Sequence, residues 1–209
     1  MVHQDLFTRF KVLSGGCCLA AALVTYQSGG VLAAPGINAD ALIVSLEDVQ
    51  HVTDRDDLTA LPVMDAPPSY HENSRTPDQC RPVFGLADAF GHNWSQFRGV
   101  TYTAAGGEIH TISTVAQGIG IYPDDGTARS EFDRLVSSFE ACAALHTKPY
   151  DFRLNKQDPS TVFLVFPGDS QSVVCRLASS VLIDVVVQGI PRSDQVAETV
   201  TRMITEQVK

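Results

Sequence analysis

Positive charge is scarce in this 209-residue chain: 15 Lys and Arg stand against 24 Asp and Glu, a formal charge of −9 at pH 7. Past residue 36 no basic cluster appears. Nucleic acid and anionic lipid surfaces both need such a footprint, so neither is expected as a partner. Long apolar runs are also missing. The one that stands out in the first third runs only from Val12 to Val24, well short of the ~20 residues that span a bilayer. Metal-ligand spacings are absent, with no C-x-x-C, no H-x-x-x-H and six scattered histidines, so no metal and no cofactor is expected. The local signatures of nucleophilic, phosphate-binding and zinc-dependent catalysis are missing too: no G-x-S-x-G, S-x-x-K, Walker loop or H-E-x-x-H.

What the chain does have begins with an export-like segment over residues 1–36. Arg9 and Lys11 precede the apolar stretch, and "SGGVLAAPG" follows with Val31-Leu32-Ala33 as a cleavage-like site. This is the layout of a secretory signal. The paired Cys17 and Cys18 raise a lipid-anchor alternative, but Leu13-Ser14-Gly15-Gly16-Cys17 is one residue too long for the Leu-small-small-Cys pattern. Any membrane association is expected through this segment alone.

An exported chain places Cys80, Cys142 and Cys175 where disulfides persist. Cys175 lies in the apolar run "SVVCRLASSVLIDVVV" and reads as a buried free thiol. Cys80 sits in a polar, Pro-rich stretch, which a bridge to a helix would pin for roughly 2–4 kcal/mol. A Cys80–Cys142 bridge is expected.

From residue 37 to 209 the pattern is that of an α+β domain on an antiparallel sheet. Residues 34–41 read as a leader. Ser45 and Asp48 form a capping box for a helix through about Val52, and residues 53–80 read as an irregular connection. "FRGVTYTA", a Gly106-Gly107 turn and "EIHTISTVAQGIGIY" predict a hairpin. The stripe Ala128, Phe132, Leu135, Phe139 and Cys142 predicts a helix with the Cys142 sulfur on its packed face. "STVFLVF" and "SVVCRLASSVLIDVVVQG" predict two further strands. A final amphipathic helix starts near Ser193, with Val196, Val200, Met203, Ile204 and Val208 on one side.

Candidate contacts are few. Trp94, the lone tryptophan, together with Arg98 and Tyr102 forms an aromatic-plus-Arg group suited to a small molecule, with core packing as the plainer role for Trp94. His110, on the polar face of its strand, is a ligand contact or general base only if a carboxylate and a hydroxyl join it, and the same holds for His51; otherwise it is an exposed strand histidine. The glycines of "GIGIYPDDG" lie within a strand, which weakens any phosphate-cradle reading. "DRDD" at 54–57 lacks the Gly and distal Glu of a calcium loop and reads as a solvated turn.

The order "ALIVSLEDVQHV", the Cys80 loop, "ISTVAQGIGIYPDDGTARSEFDRLVSSFEAC" and "CRLASSVLIDVVVQGIPRSDQVAETVTRMITEQV" resembles the PknH-like extracellular sensor domain of mycobacteria. The resemblance covers roughly residues 40 to 208. It implies a bent antiparallel sheet packed with helices and a V-shaped cleft for an unidentified ligand. It also implies a bridge at the positions of Cys80 and Cys142. Many members carry a fourth cysteine where Gln188 stands here, which leaves Cys175 unpaired. No kinase motif precedes the module, so signalling through an attached kinase is not expected. The resulting expectation is a secreted or cell-envelope, non-enzymatic domain that binds a small molecule or envelope component in a cleft. An envelope protein-interaction module and a hydrolase with a non-local site are the alternatives.

Overall fold

The structure, a computed structural model, describes residues 36–68, 76–106, 111–148, 150–169 and 171–208. The export-like segment, the Gly106-Gly107 turn beyond Gly106, and His110 therefore lie outside the described residues. Residues 35–209 form one compact unit. Among the described residues no helix is long and apolar enough to cross a membrane.

Seven strands make one sheet: β1 (Thr59–Ala60), β2 (Gln96–Gly106), β3 (Thr111–Ile121), β4 (Arg153–Asp158), β5 (Thr161–Val165), β6 (Gln171–Ala178) and β7 (Val181–Gln188). Their spatial order is β1-β2-β3-β7-β6-β5-β4, and every neighbouring pair is antiparallel. Helices cover both faces. On one lie α1 (Ala39–Leu42), α2 (Leu46–Thr53) and α6 (Ser193–Gln207); on the other lie α3 (Arg81–Phe84), α4 (Leu86–Phe90) and α5 (Asp125–Ala143).

Strand alternation sorts the core into two halves. Along β7, Val181, Ile183, Val185 and Val187 face α6, while Leu182 and Val186 face α5. The α5 stripe predicted from sequence is buried at all five positions. Ser45 caps α2 by accepting from the Asp48 N–H at 3.1 Å, and its hydroxyl donates to the Asp48 carboxylate at 2.7 Å.

The structure departs from the sequence reading in four places. The apolar run 172–188 is two strands rather than one, turned by Ser179 and Ser180, with Ser179 at φ 54°. Both strands are buried on both faces, so the sequence shows no break in hydrophobicity there, and a serine supplies the positive φ that Asn or Gly usually provides. β4 was missed because it is a polar edge strand with almost every side chain exposed. The leader contains the short helix α1, and the connection 53–80 contains β1 and a 3-10 turn at Asp78–Cys80.

The strand glycines Gly118 and Gly120 serve packing. A Cβ at Gly120 would stand 2.6 Å from the Phe90 ring and one at Gly118 2.9 Å, so their absence lets α4 lie directly on the sheet. The 54–57 turn is solvated, with Arg55 donating to Asp57 at 2.7 Å and to Ser113 at 3.0 Å.

Candidate functional site

The segment after the Pro-rich connection builds a wall over the sheet. Cys80, fully buried, is bonded to Cys142 of α5 with a Cα–Cα distance of 4.9 Å. Pro82 occupies the first turn of α3, where a missing N–H costs no helical hydrogen bond. The C-terminal end of α4 is tied to α5 by Arg134, which donates to the Asp88 and Ala89 carbonyls at 2.8 and 3.0 Å. Arg134 is held in turn by Glu131 at 2.7 Å, which also accepts from Asn93 at 3.1 Å. The last carbonyls of a helix need such partners.

Between this wall and β3, β7 and β6 lies a groove of about 410 Å³. Pro82 to Leu86 form its apolar side, Ala116, Asp184 and Val186 its floor, and Gln171 and Gln188, paired in register, its polar rim. Gln188 thus edges the groove.

Asp184 is the unusual group. It is only 5% exposed, and its Oδ1 has no hydrogen-bond partner among the described residues. Burial pushes its carboxyl up to about 7, against a smaller opposing hydrogen bond from the Cys175 thiol. Near neutrality it therefore carries a proton much of the time and can donate as well as accept. Cys175 stands directly opposite in the β6–β7 register as a buried free thiol. Burial, followed by the Asp184 charge, raises its pKa well above the ordinary value, so it is a poor thiolate.

The residues singled out from sequence do not converge. Trp94 is half-buried, its ring 6.0 Å from Phe97 and its indole N–H donating to the Gly91 carbonyl at 3.1 Å. Tyr102 is 4% exposed and donates to the Val44 carbonyl at 2.9 Å. Arg98 pairs with Asp40 at 2.5 Å and with Asp65. His51 is exposed on α2. Among the described residues no group of three or more His, Cys, Asp or Glu could hold a metal ion. Asp184 escaped the sequence reading, although a lone carboxylate inside "LIDVVVQ" was itself a signal, because a charge in a doubly buried strand needs a reason.

A family model described as PknH-like extracellular domain matches residues 34–207. The crystal structure of the extracellular domain of PknH from Mycobacterium tuberculosis is similar with a TM-score of 0.62, over 82% of this chain and 96% of that one, at 16% identity. At that identity the likeness speaks for the fold. No curated protein matches the chain.

Proposed function

This chain belongs to the PknH-like extracellular domain family, and on that premise we propose that it is an exported sensor-type domain that takes a small molecule or envelope component into the groove under α3 and α4. The observation that carries the reading is the Asp184 carboxyl, buried on the groove floor with an unpartnered oxygen beneath apolar walls. A buried polar atom left unsatisfied costs roughly 1–3 kcal/mol, and an incoming hydrogen-bonding group would recover that cost. Apolar walls with few polar groups are the usual composition of a small-molecule site. The reading is one of occupancy, not turnover, and it puts contact at the groove instead of at Trp94, Arg98 and Tyr102, where the indole N–H is engaged by Gly91, the guanidinium is ion-paired with Asp40 and Asp65, and the phenol is engaged by Val44.

The test is native mass spectrometry of the full-length protein and its Val186→Trp variant, each exposed to a cell-envelope extract. The expected result is a bound mass on the first that the second lacks, with both proteins unfolding cooperatively. The absence of any bound mass, together with no rise in thermal stability across a broad ligand screen, overturns the proposal.

A further inference from the structure

The opposite face of the sheet carries a second cavity, of about 370 Å³, where β5 and β6 run beneath α6. At its floor Thr161 and Arg176 are directly paired residues on adjacent antiparallel strands, so their side chains leave the sheet side by side. Each keeps an unmet polar atom among the described residues. Thr161 is 2% exposed and its Oγ1 has no hydrogen-bond partner there. The Arg176 Nε is likewise buried without a partner, and no ion pair among the described residues involves this guanidinium. A hydroxyl and a guanidinium presented together are the donors that a planar oxyanion accepts from.

The surroundings narrow the class of ligand. Phe163 and Val174 supply an apolar wall. Arg202 is already paired with Glu206 at 2.7 Å, and Asp158 accepts from the Ser160 N–H at 2.7 Å. From this cavity a smaller one of about 210 Å³ continues along the same seam, sharing Gln157, Phe163 and Glu198 and reaching Asp194. The seam therefore runs from a cation with no ion pair among the described residues to two carboxylates one helical turn apart on α6, past an aromatic ring. A dianion entering it would meet Asp158 and Glu198. A molecule with an acid at one end and an ammonium at the other meets complementary charge along its length.

We infer that this seam is a binding site for a short zwitterionic peptide, its terminal carboxylate on Arg176 and Thr161, its ammonium toward Glu198 and Asp194, and an apolar side chain against Phe163. The site is separate from the groove holding Asp184 and stands whether or not that groove takes a ligand.

The experiment titrates isotope-labelled full-length protein with the dipeptide alanyl-leucine, its N-acetyl form, its C-terminal amide and inorganic phosphate, reading amide shifts of Thr161, Val174 and Arg176. The dipeptide is expected to shift these signals saturably, and the acetylated and amidated forms to bind at least 10-fold more weakly. Thr161→Val supplies a control for folding. Removing an orphaned buried hydroxyl raises the melting temperature slightly yet weakens the dipeptide at least 10-fold, which a purely structural role would not do. Arg176→Gln abolishes the shifts. No saturable shift with the dipeptide, equal binding of the amide, a response to phosphate matching that of the dipeptide, or unchanged affinity in Thr161→Val each overturns the inference.

Discussion

Asp184 ties the chemistry of the groove to stability. Its folded pKa of about 7 lies above its ordinary value of 3.8, so between those values the native state binds more protons than the unfolded one. Its stabilising contribution is complete below about pH 4 and is lost as pH rises through about 7. Three units at 1.36 kcal/mol each set an upper scale of about 4 kcal/mol. Urea unfolding of the native protein and of Asp184→Asn, at pH 4, 5.5 and 8, should show the native protein losing stability relative to the variant by a few kcal/mol across that window. A constant difference between the two would mean that the carboxyl ionises normally. Gln117 shows the opposite solution for a buried polar group. At 1% exposure, its amide both accepts from the Val44 N–H and donates to the Val44 carbonyl, each at 3.0 Å, so its oxygen and its nitrogen each have a partner. Of two polar side chains buried in neighbouring strands, one is paired at both of its polar atoms, and the other lines a cavity and keeps an oxygen without a partner among the described residues.

Among elements, α3 and α4 depend most on outside support. Helices of four and five residues do not persist alone in water. The bridge from Cys80 to Cys142 closes a separation of 62 residues, and the chain-entropy estimate for such a loop is about 4 kcal/mol. Replacing both cysteines with serine should lower the unfolding free energy by about 2–5 kcal/mol, measured by denaturant titration. Amide exchange should rise most across residues 80–90, because the bridge is the covalent tie that holds these short helices to α5. Mass mapping of the native protein under non-reducing conditions should find Cys80 unavailable to alkylation. The same scale explains what the sequence could not show about the sheet. Alternation is visible only where one face is wet, so β2 and β3 were legible, while β6 and β7 merged and the exposed edge strand β4 vanished into loop-like composition.

As a whole molecule, the chain uses both faces of one sheet as separate cores, and a different cavity opens from each. The family match and the compact unit cover nearly the same span, 34–207 and 35–209. A fragment of residues 36–209 is therefore expected to fold without the first 35 residues, giving a single cooperative thermal transition within a few degrees of the full-length protein. A molten fragment, with far-ultraviolet but no near-ultraviolet circular dichroism, would show that the preceding residues are needed for packing.

The sequence by itself determined the α+β class, the family, the stripe that makes α5 amphipathic, and Cys80 and Cys142 as the pair, because each depends on local periodicity or on residue type at a position. Tertiary structure alone decided which cavities are lined by polar groups left without partners among the described residues. The Asp184 carboxyl matters because α3 and α4 arch over it, and Thr161 matters because strand pairing puts Arg176 beside it. Both depend on which hydrogen bonds remain unmade once distant segments pack, and no spacing along a chain records an absent partner.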